Sequence, residues 1–288
     1  MFLIKTAGTV NNSNLPFLVR DKLLENDNGG VKALFDLGFG YSWPGGDPDN
    51  GDTIVDVSGH GNMTFVEDAQ QSIPHVGGGF DFGAIDTTNE IDKFNHILMP
   101  GDVWSTIQAE QHFLVAIYMR LPAEVDWVQD PVGSQFAFFS SSDSSIGYQT
   151  EPDPVTIGLQ RFGRLQAFRQ SDINAGETRQ VEAAGHFGEV AQVAFWRDAN
   201  GQGFRIRSEA GGTTLATFGA LANNTADFSS AQPKIGVATP FSTYAASTTA
   251  MKYRIYRGFI ENLAESGRDS AVVLDADYAR VMARGAFS

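Results

Sequence analysis

The chain has 288 residues, with 20 basic and 34 acidic side chains, a net charge of −14 and no cysteine. The missing thiols exclude disulfide scaffolds, thiolate metal sites and thiol nucleophiles, and the acidic balance argues against a general grip on nucleic-acid phosphates. With 42% hydrophobic and 19% charged residues, the sequence reads as a packed globule that buries about 75% of its unfolded surface without a staple.

The first 30 residues differ from the rest. Two apolar patches, Phe2-Leu3-Ile4 and Leu15-Pro16-Phe17-Leu18-Val19, flank the polar spacer Asn11-Asn12-Ser13-Asn14, and Asn26-Asp27-Asn28-Gly29-Gly30 then breaks the chain. This is the pattern of an arm, with Phe2, Leu3, Ile4, Phe17 and Leu18 as expected assembly contacts. The opening lacks the continuous apolar region of a signal peptide, and no apolar run approaches the ~20 residues of a membrane helix. Synthesis in a cytoplasm and no membrane partner are the expectations.

From Val31 onward the signal is strands. Phe113 to Met119 is apolar at every position, as in a central strand covered on both sides, with Phe113, Val115, Ile117 and Met119 expected to face the core. Val155, Ile157 and Leu159 alternate with polar neighbours. A turn at Arg161-Phe162-Gly163 then leads into Leu165 to Phe168. Ala191 to Trp196 and Phe204 to Ser208 flank Asn200-Gly201, a hairpin signal, and Met251 to Tyr256 alternates again. Asn223 to Ser230 and Ser242 to Thr249 read as loops. At the end, Leu274, Tyr278, Val281 and Met282 recur at helical spacing between Asp269 and Ala283, with Gly285 as a C-cap. The expectation is an all-β antiparallel two-sheet sandwich over residues 31–265, an arm over 1–30 and a helical tail over 266–288.

The order of these pieces resembles laminin-G-like, concanavalin A-like domains, the jelly-roll superfamily of lectins and glucanases. The residues that carry the resemblance are Ala33-Leu34-Phe35-Asp36, then Asp56-Val57-Ser58-Gly59-His60-Gly61-Asn62, then the Gly-rich Gly78-Gly79-Phe80-Asp81-Phe82-Gly83. Phe113 to Leu121 is similar to the central strand of those domains, Ala191 to Ser208 to their hairpin, and Tyr253 to Phe259 to their closing strand. The glycines suit positive φ, so the motifs read as structural. The resemblance implies a jelly roll and leaves function open.

Glu124-Val125-Asp126-Trp127-Val128-Gln129 resembles the Glu-x-Asp-x-x-Glu catalytic strand of laminarinase-type glucanases. There the first Glu is the nucleophile, the Asp assists it and the last Glu is the acid/base. Here Gln129 stands at the acid/base position and cannot give a proton, and Asp130 is out of register. No catalytic residue is therefore assigned, and the segment reads as an acidic loop between Pro122 and Pro131. Asp47, Asp49 and Asp52 gather hard oxygen donors in one turn and form a calcium candidate outside the EF-hand pattern; no other cofactor is implied. Tyr41, Trp43, Trp104 and Trp127 are candidates for stacking on sugar rings, weighed against places in the core.

Three functions compete. The first is a non-enzymatic structural or attachment component of a virion: a bacteriophage decoration, tail or fibre protein that meets other virion proteins and copies of itself. The second is a glycan-binding module directed at cell-surface glycans, and the third a glycoside hydrolase. The first rests on the family resemblance, the arm and the missing catalytic set.

Overall fold

The computed structural model describes residues 21–67, 72–82, 95–127, 136–141, 153–160, 162–172, 175–219, 222–236 and 252–288. Within these, the early strands are β1 (Val31–Asp36), β2 (Thr53–Ile54), β3 (Met63–Val66), β4 (His75–Val76), β5 (Gly79–Asp81) and β6 (His96–Leu98). The middle of the chain supplies β7 (Phe113–Arg120), β8 (Phe136–Ser140), β9 (Thr156–Gln160), β10 (Arg164–Asp172) and β11 (Ala175–Glu182). There follow β12 (Val190–Asp198), β13 (Gly201–Ser208), β14 (Gly212–Phe218), β15 (Lys234–Gly236) and β16 (Arg254–Asn262). Helical turns α1 (Glu124–Trp127) and α2 (Leu263–Ser266), the helix α3 (Ser270–Met282) and a 3-10 turn at Lys22–Leu24 complete the set.

The strands form two sheets in which all neighbours run antiparallel. Sheet A has the order β14-β13-β12-β7-β16-β5-β4, with β1 also on β16; sheet B has the order β11-β10-β9-β8-β15-β6-β3-β2. The two-sheet antiparallel sandwich with a C-terminal helix read from the sequence is what the chain forms. β7 shows why. Phe113, Val115, Ile117 and Met119 point between the sheets, into the main core with Phe35, Phe195, Phe204 and Ile260. Leu114 and Ala116 point the other way and are buried too, under Leu23, Leu24, Leu263, Val273 and Leu274. A strand apolar on both faces is a strand covered on both faces.

The turns follow local chemistry. The Asp56 carboxylate accepts from the Leu34, Ser58, His60 and Gly61 amides, and Gly59 and Gly61 take φ of 84° and 149°. The Asp-x-Ser-Gly motif is thus a structural staple between β1 and the turn. Helix α3 starts where Asp269 accepts from the Val272 amide at 3.0 Å and ends at Ala283, with Gly285 at φ 58° two residues later. Of the first 30 residues, the described portion lies on the chain's own sandwich, because Leu23 and Leu24 are buried beside α3. The assembly candidates Phe2, Leu3, Ile4, Phe17 and Leu18 fall outside the described residues, as does the loop Ser242 to Thr249.

Candidate functional site

The outer face of sheet A is closed by a charged network. Arg257, fully buried, donates to Asp21 at 2.8 Å and to Asp36 and Asp277 at 3.1 Å each. Arg280 joins Asp21 and Asp277, and Arg284 reaches Asp36 at 2.6 Å. Burial alone would drive Arg257 toward losing its proton; the three carboxylates reverse that and hold it more firmly protonated than a free arginine. Asp21 is likewise half-desolvated, yet Arg257, the Leu23 amide and Arg280 more than offset burial and hold its carboxyl below the usual value. The Tyr118 hydroxyl donates to Asp277 at 2.8 Å and accepts from Gln192, while Arg205 bridges Gln192 and Asp275. These contacts bolt α3 to the sheet, and the network is consumed by that task.

The outer face of sheet B over β9, β10 and β11 is different. Among the described residues no helix lies on it. Register places Gln166 opposite Gln180 and Gly158, and Arg164 opposite Gln160 and Glu182. Because side chains alternate along a strand, Gln160, Arg164, Gln166, Phe168, Gln180 and Glu182 share this one face. The Gln180 amide donates to the oxygens of both Gln160 and Gln166, the second at 3.1 Å, and Arg164 pairs with Glu182 at 2.7 Å. Phe168 lays its ring over Gly176, where any Cβ would collide with it.

At the tip of the β9–β10 hairpin stands Phe162, 66% exposed, with φ 65°, followed by Gly163 at φ 72°. Positive φ is the left-handed region, which favours Gly, Asn or Asp. A phenylalanine there costs on the order of 1–2 kcal/mol of local strain. An aromatic ring thus stands in water at the tip of the hairpin whose strands carry Gln160 and Gln166. Side-chain amides both give and accept hydrogen bonds, and a ring face stacks on C–H surfaces. This combination matches the alternating hydroxyl and C–H faces of a sugar.

At the far end of the strip, fully buried Asp153 accepts from the Ser141 and Thr156 hydroxyls, and its amide donates to Gln170 at 2.6 Å. Burial pushes its carboxyl up.

The residues singled out from sequence are placed elsewhere. Trp104 and Trp127 are fully buried, their indole N–H groups donating to the Ser141 and Gln160 carbonyls at 3.0 and 2.6 Å. Trp43 packs edge-on against Phe80 in the main core. None of these three rings offers a face to solvent. Tyr41, 53% exposed, does so from the loop after β1, a different part of the fold from the glutamine row.

Asp47, Asp49 and Asp52 do not converge. Asp47 accepts from the His75 amide at 2.7 Å, tying this loop to β4, and Asp52 accepts from the Asp49 amide at 2.8 Å within its own turn. Among the described residues no group of three His, Cys, Asp or Glu side chains could hold a metal ion. Glu124 to Trp127 is a helical turn and not a strand, so Glu124 and Asp126 lack the same-face placement of the glucanase motif. Asp126 instead pairs with Lys252 at 3.0 Å. Gln129 and Asp130 lie outside the described residues.

Sequence reasoning passed over Phe162 and the glutamines. The available signal was an aromatic within the turn Arg161-Phe162-Gly163, outside the alternating core positions of the flanking strands.

The architecture is an all-β, two-sheet antiparallel sandwich with short C-terminal helices. The sequence matches no protein-family model and no curated protein. In structure it is similar to the binding domain of botulinum neurotoxin serotype D/C, with TM-score 0.52 and 13% identity over 83% of this chain and 52% of that one. The binding domain of botulinum neurotoxin DC in complex with rat synaptotagmin II gives TM-score 0.54 at 12% identity, over 86% of this chain and 51% of that one. A third structure, described as a receptor binding domain, gives TM-score 0.52 at 12% identity, over 86% and 53%. This chain spans about half the length of each of those chains, and at such identities the likeness establishes the fold alone.

Proposed function

We propose that the chain is a non-catalytic glycan-binding module whose contact surface is the outer face of β9, β10 and β11. The observation that carries the reading is Phe162, exposed and held at positive φ at the tip of the hairpin whose strands carry Gln160 and Gln166. The helical form of Glu124–Trp127 and the glutamine at position 129 support the non-catalytic half of the proposal. The similar solved structures are named as binding domains, which agrees with it.

A virion setting, in a phage decoration, tail or fibre component made in the host cytoplasm, belongs to the same proposal as its finer part. It rests on the apolar arm of the sequence, whereas two of the structures named above are neurotoxin binding domains. Copurification with a symmetric particle, lost on deleting residues 1–20, tests it.

The direct experiment for binding is a glycan array followed by calorimetry on the best ligand. Phe162→Ala and Gln180→Ala should each weaken binding tenfold or more with the circular dichroism spectrum unchanged. Binding that both variants retain would place the site elsewhere, and silence across neutral and acidic glycans would end the reading.

A further inference from the structure

The strands that end the two sheets are β4 and β14 in sheet A and β2 and β11 in sheet B. A sheet edge avoids pairing with other chains by being short, charged or bulged. β2 and β4 are two residues long, and β11 carries Glu177, Arg179 and Glu182 and meets β10 through a register shift. β14 has none of these devices. It runs Gly-Thr-Thr-Leu-Ala-Thr-Phe, seven residues without a charge or a proline, and pairs with β13 in unbroken register from Gly212 opposite Ser208 to Phe218 opposite Gln202. Among the described residues its other side meets no strand, and no backbone hydrogen bond outside the β13 ladder joins it. A row of N–H and C=O groups therefore faces outward in the plane of the sheet.

Alternation sorts the side chains of β14. Thr214, Ala216 and Phe218 turn inward, where the Thr214 hydroxyl meets His186 at 2.9 Å and Phe218 lies under the Arg179 guanidinium, 4.7 Å from its ring centre. Thr213, Leu215 and Thr217 turn outward and are exposed, Leu215 by 51%. This outward triplet reads the same in both directions. Antiparallel strands related by a two-fold axis pair each residue with its mirror about one central residue. With Leu215 at the centre, Leu215 faces the second copy's Leu215, and Thr213 faces the second copy's Thr217. Aliphatic and threonine pairs are favourable cross-strand neighbours. Charge also permits the meeting. Copies of a chain with net charge −14 repel one another, but this edge is neutral. Beside it on β13, Arg205 and Arg207 are both paired with Asp275, at 2.8 and 2.6 Å.

We propose that β14 is a self-association edge, at which a second copy of this chain pairs antiparallel about Leu215 and continues sheet A from one molecule into the next. The two-fold axis stands normal to the sheet, so equivalent faces of both copies point the same way. On the glycan reading, both β9–β11 strips would then lie on one side of the dimer and engage a multivalent surface together. The association itself does not rest on that reading.

The test uses the whole chain, which has no cysteine, so an introduced thiol is the only one. Sedimentation velocity over a concentration series from micromolar to submillimolar should show monomer passing into dimer. Leu215→Cys should cross-link that dimer under mild oxidation, because directly opposed antiparallel residues have Cα atoms about 4.5–5.5 Å apart, within disulfide reach. Thr213→Cys should not, because its copy in the partner strand lies four residues along, about 13 Å away. Leu215→Lys and Leu215→Glu change an exposed side chain and leave the fold intact. Each should weaken association about tenfold, and mixing the two variants should restore it, since a residue that faces itself then sets Lys opposite Glu.

A wild type that stays monomeric throughout the series would overturn the proposal. So would a Thr213→Cys variant that cross-links as readily as Leu215→Cys, or a dimer that Leu215→Lys leaves intact. Dimerisation without glycan binding leaves the edge standing and the glycan reading failed. Glycan binding by a chain that stays monomeric does the reverse.

Discussion

The two outer faces of the sandwich solve the same problem in opposite ways. Sheet A turns Leu34, Leu114, Ala116, Trp196 and Phe259 outward and must cover them, which it does with the 3-10 turn, α2 and α3. The cover is fastened by ion pairs of almost no exposure, centred on Arg257. Sheet B over β9 to β11 turns glutamines and a threonine outward, groups that water satisfies, and no described helix lies over it. Burial of charge marks the face that is used up by folding. On the glycan reading, the row of amides and the strained aromatic are the face left for a ligand.

The comparison breaks most visibly at Arg257. Arg257→Leu leaves Asp21, Asp36 and Asp277 buried without their shared cation. Removing one partner of such a network costs about 3–5 kcal/mol, so urea unfolding should show a lower midpoint and detachment of α3, with glycan binding affected only through lost fold.

A closer test uses the one device both faces share, an aromatic ring laid over a glycine. On sheet A this is Trp196 over Gly203; on sheet B it is Phe168 over Gly176. Gly203→Ala should cost about 1–3 kcal/mol, since the tryptophan is buried in the packed cover. Gly176→Ala should cost less, because half-buried Phe168 can swing into solvent. Equal losses in thermal unfolding would show that the strip is as rigid as the covered face.

Phe162 should respond with the opposite sign. Phe162→Asn relieves the left-handed strain and should stabilise by about 1 kcal/mol, while glycan binding falls. A variant that loses stability would mean the ring packs on its own domain.

The smallest expected effect is in pH. His186 is buried against the Ser208 and Thr214 hydroxyls, at 2.7 and 2.9 Å, and burial pulls its pKa below the usual histidine value. The unfolded chain therefore takes up a proton that the folded one resists. Stability should fall as pH drops below about 6.5 toward the folded value. His186→Gln should flatten that slope in midpoints measured from pH 7 to 5.

The fold was legible because period and punctuation are local. β7, the β12–β13 hairpin and α3 each announce themselves within a dozen residues, through alternation, Asn-Gly and helical spacing. The covered face announced itself only as the two-sided apolarity of β7. Its fastening joins Asp21, Asp36, Arg257 and Asp277, which lie at opposite ends of the chain, and no local pattern encodes that. The tryptophans misled for a related reason: an indole with its N–H bonded to a carbonyl packs inside a sandwich as readily as it stacks on a sugar. The glutamine row needs three strands in register before Gln160, Gln166 and Gln180 become neighbours.

Asp21 fixes one more thing. Held by Arg257 and Arg280, it sets the point at which the preceding chain departs, and that point lies on the back of the sandwich, on the sheet opposite the Phe162 hairpin. On the glycan reading, the Phe162 hairpin and the Arg257 clasp belong to opposite sheets, so a ligand on the strip would leave the fastening of α3 untouched.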